Sequence, residues 1–167
     1  SLGVFNEDGI HTSISGDIGV ISFFADKTIT TGEGGIVLVQ DESIYQSLKL
    51  IRNQGRPNSG TFVHPKFGMN FRITDMQAGL GSIQLDKLND IIKFKRSLFS
   101  YYNENICDHQ DIIKPIIKKD NKDIPFRYYF QVKKDKEILI DYLESKNIQT
   151  RSFFYPMHLQ PSVISEY

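Results

Sequence analysis

The sequence contains almost no cysteine and no excess of charge of either sign. The single cysteine, Cys107, excludes a disulfide framework and a cysteine-based zinc site. The 20 Lys and Arg residues balance 20 Asp and Glu residues, which argues against a nucleic-acid-binding protein that depends on a basic surface. No apolar run approaches the ~18 residues of a transmembrane helix, and no basic segment followed by an apolar one resembles a secretion signal. We therefore expect a cytoplasmic protein with no membrane partner.

Two further kinds of site are missing from the sequence. His11, His64 and His109 stand far apart and lack the spacing of metal ligands, so we expect no metal site. The glycine-rich string GEGG at residues 32–35 lacks the Gly-Lys-Ser/Thr ending of a phosphate-binding loop. A simple nucleotide-binding module is therefore disfavoured.

The residues that are present indicate a globular α/β protein. Apolar residues make up 40% of the sequence, which includes 12 Phe and 8 Tyr, and this excludes a disordered chain. Residues 18–24 and 35–40 are apolar and β-branched, as is typical of buried strands. Helical spacing of apolar residues covers 41–53, and again about 74–106, where it predicts one long helix or two in series.

The pattern also predicts a division of the chain, with a boundary near the long helix at 74–107. Residues 1–73 precede this helix and residues 108–167 follow it. The predicted elements after the helix are strands at 112–117, 126–132 and 148–155 and a helix at 136–146.

Lys27 is the residue whose position most favours a catalytic role. It follows the first strand and precedes the glycine-rich turn, at the end of a sheet, where α/β proteins place ligands. A partly buried lysine loses its charge more readily and can form a Schiff base with a carbonyl compound. The alternative is a solvated lysine beside Asp26. Ser22 could bind a phosphate through its hydroxyl or simply bond to the neighbouring backbone.

Asn70 and His158 are the other candidate site residues. Asn70 precedes the predicted helix at 74–106, where a polar side chain could bind an anion or cap the helix. His158 lies between Pro156 and Pro161, which restrict the backbone around it. Catalytic, substrate-binding and packing roles all stay open for His158.

Three strings of the sequence resemble the DegT/DnrJ/EryC1/StrS family of PLP-dependent nucleotide-sugar aminotransferases. SFFADKTITTGEGG (22–35) resembles its lysine motif, GMNFRITDMQA (68–78) followed by Gln84-Leu85 its second motif, and TRSFFYPMHLQP (150–161) its C-terminal motif. The first and third strings are most similar to members that aminate a GDP-linked 4-keto-6-deoxy-hexose. The resemblance implies an α/β protein of the PLP-dependent transferase fold type I (aspartate aminotransferase-like), here a partial large domain plus most of the small C-terminal domain. The resemblance assigns residues 1–73 to the remainder of the large domain, 74–107 to a long connecting helix and 108–167 to the truncated small domain.

The resemblance implies a role for each candidate residue. Lys27 matches the lysine that bonds covalently to pyridoxal 5'-phosphate and later moves protons between substrate and cofactor. Ser22 matches the serine that binds the cofactor phosphate, and Asn70 matches the residue that reaches this phosphate from the neighbouring subunit. His158 lies in the segment that lines the sugar-nucleotide pocket. Relatives that act as dehydratases carry histidine in place of the lysine, so Lys27 disfavours dehydration.

The implied reaction transfers an amino group from glutamate to a nucleotide-linked keto-6-deoxy-sugar for surface polysaccharide or glycan biosynthesis. Perosamine-type 4-amination is the favoured form, in a homodimer with shared active sites. An alternative is a truncated, non-catalytic paralogue that binds a full-length subunit through the long helix as a regulatory partner.

The resemblance covers the middle and C-terminal part of an aminotransferase of about twice this length. The acidic partner of the cofactor's pyridine nitrogen is expected upstream of Ser1, and Glu7 and Asp8 are interpreted as a surface hairpin instead. A partial large domain leaves strand edges and apolar faces uncovered. We therefore expect the isolated chain to be unstable or inactive, although its parent protein is an enzyme.

Overall fold

The computed structural model describes residues 2–58, 60, 62–116 and 123–164, and the chain forms two compact units. The first unit comprises Ser1–Cys107 and Pro115–Tyr129, and the second comprises Asp108–Lys114 and Phe130–Tyr167. Pro115–Tyr129, predicted as part of the small domain, and residues 74–107, predicted as a connecting helix, both belong to the first unit. The three-part division itself stays a prediction.

Two antiparallel strands lie at the centre of the first unit. They are β1 (Ile18–Ser22) and β2 (Gly35–Val39), with Ile18 opposite Val39 and Ser22 opposite Gly35. Residues 23–34, here called the lysine loop, join the strands without an intervening helix, a connection that suits an antiparallel pair. The strand prediction is confirmed in position, but β1 is buried on one face only, through Gly19 and Ile21.

Helix α1 (Glu42–Arg52) follows β2, as predicted. The Asp41 carboxylate caps it by accepting a hydrogen bond from the backbone N–H of Ile44 at 2.8 Å. A carboxylate at this position satisfies a backbone donor that the helix itself leaves unpaired, and it also faces the positive end of the helix dipole.

Two helices in series follow α1. This is one of the two arrangements that the apolar spacing predicts. Helix α2 (Asp75–Asp86) has Thr74 as its N-cap. The Thr74 hydroxyl and the Gln77 side chain form a capping box. Helix α3 (Leu88–Asn105) begins after Lys87, whose backbone (φ −92°, ψ 0°) is not helical. The region from 74 to 107 is therefore interrupted at Lys87 and is not one continuous helix.

The second unit contains less regular structure than predicted. Strands β3 (Ile112–Ile113) and β4 (Gln131–Val132) form a two-residue antiparallel ladder, followed by helix α4 (Lys136–Ser145) and the short helix α5 (Pro161–Ile164). The strand predicted at 148–155 is wrong, because no described strand lies beside it to complete a ladder. The predicted strand at 112–117 ends early, although residue 117 lies outside the described residues.

The described residues bury few large apolar side chains. Ile21, Ile29 and Ile124 form the buried apolar core of the first unit. Large side chains elsewhere remain open to solvent, with Phe62 86% and Phe67 88% exposed. The expected exposure of apolar faces is therefore present. No described helix is both long and apolar enough to cross a bilayer.

Candidate active site

Lys27 lies in a turn of the lysine loop just after β1. The ladder between the strands continues one step into the loop, because the Phe23 N–H donates to the Gly34 carbonyl at 2.9 Å. The Lys27 N–H then donates to the Phe24 carbonyl at 3.0 Å, which closes the turn. Ile29 is 1% exposed and anchors the loop in the core. The backbone of Lys27 is thus held between a strand end and a buried side chain.

Two glutamines of α2 fasten the second half of the lysine loop. The Gln84 side-chain oxygen accepts a hydrogen bond from the Thr30 N–H at 2.9 Å, and the Gln77 side-chain nitrogen donates to the Glu33 carbonyl at 3.0 Å. Residues seven positions apart share a helix face, so both amides point toward the loop. Sequence reasoning gave Gln77 a role only in the capping box with Thr74 and gave Gln84 none. The spacing of the two glutamines, two helical turns, was the available signal for a shared contact with the loop.

The amine of Lys27 has two described neighbours. Its Nζ lies 3.5 Å from Asp26 Oδ1 and 4.9 Å from the centroid of the Phe126 ring. The side chain is 37% exposed, so Lys27 is partly buried, one of the two states that the sequence allowed, and it lies beside Asp26 as in the other. A reagent from solvent can therefore reach the amine while two groups hold it.

Residues 125–127 bring an aromatic ring and a second cation to Lys27. Arg127 Nη2 lies 2.9 Å from Asp26 Oδ2, and its guanidinium carbon is 5.2 Å from the Phe126 centroid. Lys95 on α3 donates from Nζ to the Phe126 carbonyl at 2.9 Å, with Nζ 5.8 Å from the same centroid. Sequence reasoning missed this cluster, because about a hundred residues separate its two parts and no periodicity links them.

One lysine of this cluster, Lys95, has a pKa below its ordinary value. Partial burial, and then the positive charge of Arg127, lower the pKa of Lys95. Two backbone carbonyls, those of Pro125 and Phe126, accept hydrogen bonds from Lys95 and offset part of the cost of burying its charge. The main role of Lys95 here is therefore to hold the backbone that carries the Phe126 ring.

Ser22 is the last residue of β1, on the same connection as Lys27. Its Oγ accepts a hydrogen bond from the Phe24 N–H at 3.2 Å, which is the backbone-bonded arrangement that the sequence left open. A hydroxyl that accepts one bond still has its own proton to donate. The Ser22 hydroxyl can therefore accept the backbone hydrogen bond and donate its proton to an anion at the same time.

The remaining candidates lie elsewhere. Asn70 is exposed and forms an isolated bridge with Asn53, just beyond the end of α1. His158 belongs to the second unit, where it is exposed within a short 3-10 turn, Met157–Leu159. The predicted surface turn at Glu7 and Asp8 is confirmed, since both are exposed and the Gly9 N–H donates to the Asn6 carbonyl across them at 3.0 Å.

The end of β1 and the lysine loop offer groups that suit pyridoxal 5'-phosphate. Lys27 supplies a primary amine for an aldehyde, and the Ser22 hydroxyl supplies a donor for a phosphate. Gly32 adopts φ +80°, and a Cβ built there meets no atom within 4 Å, so the turn leaves open space on that side. The described residues therefore fit this cofactor.

Comparison with known proteins places the chain in a defined group. Residues 6–167 match the DegT/DnrJ/EryC1/StrS aminotransferase family. A GDP-perosamine synthase of Escherichia coli O157:H7 is 34% identical over 165 residues, which is 95% of this chain and 44% of that protein. The chain therefore spans less than half the length of this relative.

Solved structures show the same fold. A Helicobacter pylori aminotransferase involved in the biosynthesis of pseudoaminic acid superposes with a TM-score of 0.85 at 21% identity, covering 96% of this chain and 45% of that one. An E. coli GDP-4-keto-6-deoxy-D-mannose-3-dehydratase with bound hydrated PLP gives a TM-score of 0.79 at 25% identity, covering 98% and 46%. The predicted PLP-dependent transferase fold of type I is confirmed, as a partial α/β structure.

Proposed function

Because this chain belongs to the DegT/DnrJ/EryC1/StrS aminotransferase family, we propose that its complete gene product transfers an amino group from glutamate to a GDP-linked 4-keto-6-deoxy-sugar, forming a perosamine-type product. Enzymes of this family are PLP-dependent sugar aminotransferases. The supporting observation is a reachable amine, Lys27, in a chain that is similar to a GDP-perosamine synthase over nearly its whole length. We further propose a cytoplasmic homodimer with shared active sites.

Each candidate residue has a defined task in this reaction. Pyridoxal phosphate, when bound, supplies the electron sink through which an amino group passes from donor to acceptor. Lys27 Nζ would bond to the cofactor and, once released, accept and return a proton at the reacting carbon. Ser22 Oγ would donate to the phosphate, and Asn70 would add an amide donor from the neighbouring subunit. His158 would contact the sugar nucleotide.

Lys27 also separates aminotransfer from dehydration. The two superposed structures include an aminotransferase and a dehydratase, so the fold alone does not select the reaction. A primary amine at position 27 can bond to the cofactor and then exchange places with an incoming amine. This favours amination over dehydration.

A panel assay tests the proposal. The complete gene product is incubated with glutamate and GDP-, UDP- or dTDP-linked 4-keto-6-deoxy-sugars, and the amino sugar and 2-oxoglutarate are quantified by mass spectrometry. We expect the GDP sugar to be the best substrate, and Lys27→Ala to lower the rate by at least about 10²–10⁴-fold. Preference for another nucleotide would contradict the GDP assignment alone. Absence of any amino sugar would contradict the proposed function.

The isolated chain provides a second test. Neither the described residues nor the relatives favour the alternative of a non-catalytic paralogue. The prediction that these 167 residues alone are inactive is checked by mixing the purified chain with pyridoxal phosphate and recording the absorbance of the lysine-bound cofactor. A stable band that Lys27→Ala abolishes would overturn that prediction.

A further inference from the structure

The surroundings of Lys27 contain a group for which the proposed reaction gives no role. In the proposed reaction the lysine would leave the cofactor whenever the cofactor carries the amino group, and its amine would then need another place. Two groups lie close to Lys27 Nζ: Asp26 Oδ1 at 3.5 Å and the Phe126 ring, whose centroid is 4.9 Å away. A cation within ~6 Å of an aromatic centroid is attracted by the negative face of the ring.

The Phe126 ring is itself fixed from outside the lysine loop. Lys95, from α3, donates hydrogen bonds to the carbonyls of Pro125 and Phe126 at 3.4 and 2.9 Å. The neighbouring Ile124 is buried, and its N–H donates to the Gly3 carbonyl at 2.8 Å. The ring is thus attached to two separate parts of the first unit and does not depend on Lys27 for its place.

Asp26 alone cannot hold the amine in one place. Its carboxylate is shared, because Arg127 Nη2 lies 2.9 Å from Oδ2 while Lys27 Nζ lies 3.5 Å from Oδ1. The shorter contact belongs to the arginine, so the carboxylate is divided between two cations. The ring is a second attractive group for the amine, and Lys27 Nζ lies nearer its centroid than Arg127 or Lys95 does.

We propose that Phe126 is a positioning residue for Lys27, holding the amine on its ring face whenever the lysine is not bonded to the cofactor. This inference rests on the proposed role of Lys27 as the cofactor-bonding residue. Lys95 supports it by fixing the backbone on which the ring is carried. Phe126 itself touches no reacting atom.

Lysine labelling in the complete holoenzyme tests the proposal. Glutamate converts the cofactor to its amine form, which frees Lys27, and trace acetic anhydride then acetylates each lysine in proportion to its reactivity. Peptide mass spectrometry gives the Lys27 signal relative to exposed Lys93. We expect Phe126→Leu to raise this ratio by about twofold to fivefold, which is the equivalent of one exposed cation–ring contact. The reason is that the Lys27 amine loses both the ring that covers it and the attraction between the ring and its charge. Phe126→Trp should keep the wild-type ratio.

A matched control comes from α1, where Lys49 Nζ lies 5.2 Å from the Tyr45 centroid. Tyr45→Leu should raise labelling of Lys49 and leave that of Lys27 unchanged. Equal Lys27 ratios in wild type and Phe126→Leu, or an equal rise in Phe126→Leu and Phe126→Trp, would overturn the proposal. If Phe126→Leu does not fold, Lys95→Met takes its place, and an unchanged Lys27 ratio there counts against the proposal.

The same experiment separates the two hypotheses. In the aldehyde form of the holoenzyme, a Lys27 that bonds to the cofactor is protected from acetylation. Equal labelling of Lys27 in the aldehyde and amine forms would contradict the proposed function. Protection in the aldehyde form with no effect of Phe126→Leu would contradict only the positioning role.

Discussion

Asp26 and Arg127 form an ion pair across 101 residues of sequence, with Oδ2 and Nη2 2.9 Å apart. The carboxylate belongs to the lysine loop and precedes Lys27 directly. The arginine follows the Phe126 ring. One contact therefore joins the reactive loop to the segment that carries the aromatic ring.

This ion pair should contribute little to stability, because both side chains are partly exposed. A double-mutant cycle of Asp26→Asn and Arg127→Gln, measured by urea unfolding of the complete gene product, should give a coupling of about 0.2–1 kcal/mol. The coupling should fall as salt is raised. Asp90 and Lys93, 3.9 Å apart and both more exposed, form the control pair and should couple more weakly. A larger, salt-independent coupling would show that the pair is more buried than described.

Gln84 should stabilise the lysine loop through one acceptor atom. Gln84→Met removes the partner of the Thr30 N–H and should cost about 1 kcal/mol. Hydrogen exchange of the Thr30 amide should become faster. Gln84→Glu keeps an acceptor oxygen at the same place and should preserve slow exchange. Similar exchange rates in the two variants would show that the hydrogen bond does not hold the loop.

Gly55 should tolerate no side chain. It adopts φ +78°, and a Cβ there would lie 1.7 Å from the Lys66 carbonyl oxygen. Gly55→Ala should therefore lower the free energy of unfolding by at least about 2 kcal/mol, since strained backbone and a backbone clash add together. The control is Gly79 of α2, where a Cβ meets no other atom within 4 Å.

Gly79→Ala should raise the free energy of unfolding by about 0.5–1 kcal/mol, because alanine favours a helix more than glycine does. Urea unfolding midpoints of the two variants give the comparison. Equal effects at the two positions would contradict the geometry described for Gly55.

Asp41 should make the stability of α1 depend on acid pH. The Ser43 hydroxyl, and then the Ile44 N–H, hold the pKa of Asp41 below its ordinary value of 3.8. A carboxyl whose folded-state pKa is lowered stabilises the folded state above its unfolded pKa, and that contribution disappears as the pH falls through the folded pKa. The complete gene product should therefore lose stability on acidification partly through this group.

The matched variant is Asp41→Asn, which can still cap the helix but does not titrate. Between about pH 5 and pH 2.5, the urea midpoint of the wild type should fall more than that of the variant. Other carboxylates titrate equally in both proteins, so the difference reports Asp41. Parallel pH profiles would show that Asp41 does not gain its hydrogen bonds on folding.

Local signals predicted the elements that depend on local chemistry. The helices predicted at 41–53 and about 74–106 are present and are capped by Asp41 and Thr74, since a cap needs only residues within one turn. The strand predicted at 126–132 forms only at Gln131–Val132, and the Phe126 carbonyl at its predicted start accepts a hydrogen bond from Lys95. Such a distant donor leaves no trace in the spacing of neighbouring residues.

The candidate site likewise has one part that the local sequence predicts and one part that depends on distant contacts. Lys27 could be predicted from the strand before it, the glycines after it and its resemblance to a known motif. The ring beside its amine could not, because Phe126 reaches Lys27 only through the fold of the first unit. The roles assigned to Ser22, Asn70 and His158 stay predictions.

The interruption at Lys87 divides the support of the reactive lysine between two helices. Helix α2 holds the loop backbone through Gln77 and Gln84, whereas α3 holds the Phe126 backbone through Lys95. Substitutions on α2 therefore act on the loop that carries the amine, and substitutions on α3 act on the ring beside it.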